Sequence, residues 1–198
     1  MKKLSVFIST VILLVAPFKA QAAEPVDFKT VSNEFNFSYG VGGTPIFFMT
    51  TVDLMATIIS INTAKFSNAH EIGSFSFEYE HAFFKHFEFG GLVSWQNIKA
   101  DSALGSSKPV THTHNFLSIT PVFKFRWFDF EHVSMYTRLG VGVSLWFDPS
   151  GTEQKTTVFP NFELAGVCVD FGGKNLRGLV ELGPSSKGIV AAGISYRF

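Results

Sequence analysis

Charged side chains are scarce in this chain. Asp, Glu, Lys and Arg make up 16% of its 198 residues, against about 25% in a typical soluble domain. Such scarcity implies more apolar surface than a water-facing fold needs. Neither sign prevails: sixteen Lys plus Arg stand against sixteen Asp plus Glu. A balanced chain offers no basic face for nucleic acid. Cys168 is the sole cysteine, which excludes an intramolecular disulfide. Long hydrophobic runs are missing as well. After Ala22 no uninterrupted apolar stretch reaches the ~18 residues of a membrane helix. Yet 24 Phe, 3 Trp and 4 Tyr are present and must be placed somewhere. The length suits one domain.

The N-terminus reads as a targeting signal. Lys2 and Lys3 form a positive n-region, the stretch from Leu4 to Val15 an apolar h-region, and Ala20-Gln21-Ala22 an A-x-A cleavage site. Cleavage after Ala22 is expected, which divides the chain into a signal peptide (1–22), a short periplasmic segment (23–33) and one folded domain (34–198).

Alternation with period two runs through most of the remainder. From Ser74 to Phe83, the residues Phe75, Phe77, Tyr79, His81 and Phe83 share one parity, and Ser74, Ser76, Glu78, Glu80 and Ala82 the other. Successive strand residues point to opposite sides, so this segment has one apolar and one polar face. Seven further segments alternate in the same way: Phe35 to Gly42, Phe87 to Gln96, Leu117 to Trp127, Val133 to Leu145, about Val158 to Phe171, Leu176 to Leu182, and Val190 to Phe198. The sixth of the eight changes phase between Leu164 and Val167, which calls for a bulge near Ala165-Gly166.

Short and long connections alternate. Three-to-four-residue links follow the second, fourth and sixth strands. Longer ones span Gly43 to Gly73, Lys99 to His114 and Asp148 to Thr157; Pro184 to Gly188 is short. Short turns at one end and long loops at the other are the pattern of an outer-membrane barrel. The predicted fold is therefore all-β: an eight-stranded antiparallel transmembrane barrel with both termini at the short-turn end.

The last five residues, Ile194-Ser195-Tyr196-Arg197-Phe198, resemble the C-terminal signature of outer-membrane barrels. That resemblance implies that Tyr196 and Phe198 serve as an insertion signal read by the barrel-insertion machinery. Ser38-Tyr39-Gly40-Val41-Gly42, Tyr136-Thr137-Arg138-Leu139-Gly140-Val141-Gly142 and Val180-Glu181-Leu182-Gly183 resemble segments of uncharacterised eight-stranded outer-membrane barrels of Bacteroidetes. The likeness implies a fold and an outer-membrane location among lipids, without an activity.

The inward parity carries Glu78, Glu80, Glu88, Glu163 and Glu181 with Lys124, Arg126, Arg138, Arg177 and Arg197. An eight-stranded barrel is just wide enough for side chains to fill. Unpaired charges there are costly, so a structural, charge-paired core without an open pore is expected. Inward glycines (Gly40, Gly42, Gly90, Gly140, Gly142, Gly193) would make room for long side chains and allow tight curvature. Aromatics near strand ends read as interfacial girdles: Phe83, Phe84, Phe87, Trp127, Phe128, Phe130, Phe171, Tyr196 and Phe198 at one end, Trp95, Trp146, Phe147 and Phe159 at the other.

The stretch from Ile46 to Ile61 lacks alternation. Thr50, Asp53, Thr57 and Ser60 fall on one helical face and Phe48, Val52, Met55 and Ile59 on the other, which predicts an amphipathic helix in the first outer loop. An extra hairpin, giving ten strands, is the alternative.

Chemistry is thinly signalled. His112-Thr113-His114 lacks a third ligand at metal spacing, and His70-Glu71 has no nucleophile motif beside it. The chain carries no phosphate loop and no haem or zinc pattern, so no catalytic residue, metal or cofactor is assigned. The expectation is a non-enzymatic barrel of structural or surface-binding type, with outer loops available to a ligand or protein partner. A lipid-modifying enzyme and a narrow channel are the alternatives.

Overall fold

A computed structural model of the chain describes residues 33–43, 65–103, 110–148 and 155–198, with side chains at 33–43, 73–99, 113–147 and 156–198. The expected signal peptide and the Ile46 to Ile61 segment, with its helix and extra-hairpin readings, lie outside the described residues.

Eight strands form a closed antiparallel barrel: β1 (Asn33–Val41), β2 (Lys65–Phe84), β3 (Phe87–Ala103), β4 (Val110–Asp129), β5 (Val133–Asp148), β6 (Lys155–Gly172), β7 (Leu176–Leu182) and β8 (Val190–Arg197). Each strand pairs with its sequence neighbour, and β1 closes on β8 with Glu34 opposite Arg197 and Phe37 opposite Ile194. Closure removes the unpaired edges that an open sheet would expose. Links after β2, β4 and β6 take two or three residues; the other links gather at the opposite end. The two histidines beside these turns reinforce them. His86 Nδ1 lies 2.9 Å from the Arg126 carbonyl and His132 Nδ1 3.1 Å from the Gly172 carbonyl.

The polypeptide alternation becomes the two faces of the wall. Phe35, Phe37, Phe75, Phe77, Phe123, Leu139, Val141 and Ile194 are exposed outside, while Asn36, Ser38, Ser76, Thr120, Ser144 and Ser195 are buried inside. This inverts the usual globular arrangement. Several register shifts adjust the phase, among them one in β4 and one in β6. One, at Arg126/Phe128, leaves Trp127 and Phe128 both outside. The other faces Tyr136/Arg138 and leaves Gly166 and Val167 both exposed, beside the position expected from the phase change in β6.

Strand lengths differ from the sequence-based expectation. β2 begins at Lys65 rather than Ser74, β3 runs to Ala103, β4 starts at Val110 and β6 at Lys155. The backbone ladder continues past the point where the greasy alternation ends, so the apolar pattern marks only part of each strand. In contrast β1, β7 and β8 have 9, 7 and 8 residues, against 16 to 20 for β2 through β6. The wall is tall on one side and low on the other.

Two aromatic assignments are corrected. Trp146 and Phe159 do not join an outer girdle; both face the lumen, where Trp146 stacks on Phe116 at 6.0 Å and Phe159 meets it edge-on at 6.0 Å. Parity decides this: Trp146 shares the inward phase of Ser144, and Phe159 that of Asn161. Trp95 does lie outside, stacked on Phe147 at 6.2 Å. The Trp127 indole N–H donates to Thr137 Oγ1 at 2.8 Å on the outer wall.

The inward glycines serve chiefly to let adjacent strands approach. A Cβ on Gly142 would sit 2.2 Å from the Ile119 carbonyl oxygen, and one on Gly193 2.1 Å from that of Phe37. Outward Gly91 would meet nothing within 4 Å. Gly142→Ala is therefore expected to cost about 1–3 kcal/mol of stability, whereas Gly91→Ala should be neutral or slightly stabilising; urea unfolding of the micelle-refolded protein measures both.

Candidate functional site: the charged lumen

All ten sequence-predicted interior charges lie inside the barrel and are buried. The structure gathers them with Glu34, Asp129, Asp170 and Lys187, which were not among the expected set. Eight buried carboxylates thus face six buried cations among the described residues. The expected balance of five and five is corrected to an acidic excess.

The charges separate into two networks. The one nearer the short turns holds Glu34, Glu80, Glu88, Asp129 and Asp170 with Lys124, Arg126, Arg177 and Arg197. Arg126 on β4 is its hub. The guanidinium contacts Glu88 on β3 and Glu34 on β1, and reaches Asp170 on β6 at 3.0 Å and Ser134 Oγ on β5 at 2.8 Å. Arg197 on β8 donates to Asp170 Oδ2 at 2.6 Å, Asp129 Oδ1 at 3.1 Å and Glu34 Oε2 at 2.9 Å. Arg177 on β7 donates to Asp170 Oδ1 at 2.8 Å and caps the carbonyls of Phe130 and Glu131 in the β4–β5 turn at 3.1 and 3.0 Å. The planar fork of arginine suits such multiple contacts.

Glu34, Glu80 and Glu88 each bring one oxygen within 4.8 Å of the others, a spacing compatible with a metal ion. Lys124 already occupies the centre. Its Nζ lies 3.0 Å from Glu34 Oε1 and 3.6 Å from Glu88 Oε2, and it also contacts Glu80. An ammonium supplied by the chain itself does there what a bound cation would do.

The second network lies further along the lumen. Arg138 on β5 donates to Glu78 Oε2 on β2 at 2.9 Å and to Glu181 Oε1 on β7 at 2.7 Å, with Glu163 on β6 at 3.5 Å. Lys187 enters from the β7–β8 loop, contacts Glu78 and lies 2.8 Å from Glu181 Oε2. This short loop is not an exposed turn. Ser185, Ser186 and Lys187 are all buried. The Ser186 amide donates to Glu163 Oε1 at 2.8 Å, and Ser74 Oγ donates to the Ser186 carbonyl at 3.0 Å. Gly183 and Gly188 flank the loop at φ 145° and 137°, a region open to glycine and strained for other residues. The loop folds inward at the low side of the wall and sets Lys187 among the carboxylates of the lumen.

Tyr136 joins the networks. Its ring lies under Lys124, 4.5 Å from the ammonium, a favourable cation–π contact. Its hydroxyl donates to Glu181 Oε1 at 2.7 Å. Beyond the charges come a hydroxyl layer and then an apolar cluster of Ile98, Phe116 and Phe159. Ser38 and Ser76 are 2.7 Å apart, Ser118 and Ser144 2.5 Å. His114 faces this cluster and lies 3.2 Å from the Trp146 indole nitrogen. The side chains of His70, Glu71 and His112 are outside the described set. At the other end of the chain Phe198 stacks on Phe35 at 5.4 Å and on Tyr196 at 5.9 Å, both rings outside the barrel.

Sequence reasoning missed several participants for identifiable reasons. Glu34, Tyr136 and Asp170 continue the inward parity of β1, β5 and β6 and were legible from alternation. Asp129 borders a bulge-shifted strand end and Lys187 sits in a loop, where parity gives no direction.

No protein-family model matches the sequence, and no curated protein is significantly similar to it. Similar solved structures include the N-terminal β-barrel domain of Pseudomonas aeruginosa OprF, at 8% identity and a TM-score of 0.45, covering 84% of this chain and 98% of that one. Another is the attachment invasion locus protein Ail of Yersinia pestis in complex with the heparin analogue sucrose octasulfate, at 18% identity and a TM-score of 0.41, covering 84% and 99%. A further structure of Ail gives 15% identity and a TM-score of 0.40, covering 85% and 97%.

Breaking a buried ion pair from one side leaves an uncompensated charge and costs about 3–5 kcal/mol. Arg138→Met, which strands Glu78 and Glu181 together, is expected to fall in that range by urea unfolding from micelles. A variant that melts with the parent would refute the bracing role of the network.

Proposed function

We propose that this chain is an outer-membrane β-barrel with a structural or surface-binding role, and that it neither conducts nor catalyses. The observation that carries this reading is the inverted wall. Apolar side chains cover the outside from β1 to β8, and the polar groups and charges are enclosed. Water would be a poor solvent for such a surface, whereas a bilayer matches it. A closed barrel also satisfies its backbone without water, which spanning hydrocarbon requires. Export by an N-terminal signal and insertion through Tyr196 and Phe198 belong to the same proposal.

The ion pairs that cross the lumen argue against transport. Arg126, Arg138, Arg197 and Lys187 each bridge carboxylates on two or more strands, and opposite charges alternate across the narrow interior. An ion would have to break these pairs to pass. Against catalysis, the buried charges hold one another and present no free acid or base at the outer wall. Contact with a ligand or partner is left to the rim formed by the tall strands β2 to β6 and their loops.

Planar bilayers containing the purified protein are expected to show no conductance steps, and lipid A from cells with and without the gene should have the same mass profile. Steps in current would replace the reading by a channel, and a changed profile by a lipid-modifying enzyme. In the same bilayer setting Val141→Arg, on the outer wall, should cost about 2–4 kcal/mol near the midplane.

A further inference from the structure

We propose that Glu80 holds a proton at neutral pH, so that the network around Lys124 stores one exchangeable proton inside the barrel. That network contains five carboxylates and four cations. If all five were ionised, one negative charge would be left without a counter-charge in an enclosed space. Buried groups in that position give up the charge instead.

Geometry selects Glu80 as the neutral member. Glu34 is served by Lys124, Arg126 and Arg197. Glu88 lies against the Arg126 fork and Lys124. Asp129 has two arginines, and so does Asp170 with a third. Glu80 has Lys124 and the Asn36 amide, and both meet the same oxygen, Oε2. Its Oε1 is buried and has no hydrogen-bond partner among the described residues. An ionised carboxylate oxygen left bare costs more than the oxygen of a neutral acid. The groups facing Glu80 reinforce the choice. Glu34 from β1 and Glu88 from β3 lie within 4.8 Å, and Glu78 precedes it on the same inward face of β2. Lys124 from β4 is the one cation within 4 Å among the described residues, and it is shared with Glu34 and Glu88.

Glutamine has the shape of a protonated glutamate, so Glu80→Gln should keep the parent's urea midpoint at neutral pH while Glu34→Gln lowers it. A folded state that binds this proton while the unfolded chain does not must lose stability as pH rises from mildly acidic to neutral. The parent should show that slope and Glu80→Gln should lack it. Infrared spectra of the refolded parent at neutral pH should contain the carbonyl stretch of a protonated, buried carboxyl, and Glu80→Gln should lose it. The midpoint should not change when sodium in the buffer is replaced by choline. The proposal is overturned if the parent lacks an acid carbonyl band at neutral pH, which needs no variant to be read. A band unchanged in Glu80→Gln, equal losses in both variants, or a requirement for a particular metal cation would overturn it as well. A conducting barrel or an altered lipid A would unseat the function proposed above and leave the proton on Glu80 untouched.

Discussion

Charge enclosed in a space too narrow for bulk water is the constraint on which this barrel depends. Fourteen acidic and basic side chains (Asp, Glu, Lys and Arg) among the described residues, from all eight strands and one loop, are buried in the lumen. Each must find a partner across the interior, since neighbours on its own strand face the same way only at every second position and often carry the same sign, as Glu78 and Glu80 do. The partners found bind walls that the backbone ladder does not join. Arg126 on β4 meets β1 and β6, Arg138 on β5 meets β2 and β7, and Arg197 on β8 meets β4 and β6. The ladder sets the circumference, and these contacts fix the cross-section.

Outside, the energetics reverse. The wall presents rings that stack on each other, such as Phe35 with Phe77 at 5.5 Å and with Phe198 at 5.4 Å. In hydrocarbon those rings need no further burial. The two faces impose complementary demands on one chain, and a period of two satisfies both at once. A one-residue slip would turn every arginine toward lipid and every phenylalanine toward the charges, so register is strongly specified. The bulges in β4 and β6 are places where the chain spends an extra residue without exchanging the faces beyond it.

Most of this architecture was legible in the sequence because alternation is a local property. Eight strands, their order of short and long links, and the inward set from Glu78 to Arg197 follow from parity alone. Legibility failed where local pattern does not determine direction. The outer parts of β2, β3, β4 and β6 have no greasy face, so their extent depends on pairing with neighbours. Trp146 and Phe159 were read by their nearness to strand ends instead of by phase. Lys187 could not be placed, because a five-residue connection reads as an exposed turn until its burial against Glu78 and Glu181 is seen. The acidic excess comes from Glu34 and Asp170, which lie on the inward parity of β1 and β6 but were left out of the expected set, while Asp129 and Lys187 offset each other in charge.

The ion pairs also join residues far apart in the chain. Glu34 lies in the first strand and Arg197 in the last, 163 positions later, and Lys187 reaches back 109 positions to Glu78. A polypeptide that stops after β7 would therefore hold Glu34, Glu78 and Glu181 with part of their counter-charge missing. Lys187 and Arg197 come with β8 and the loop before it, so the strand that closes the cylinder also brings counter-charges to its interior.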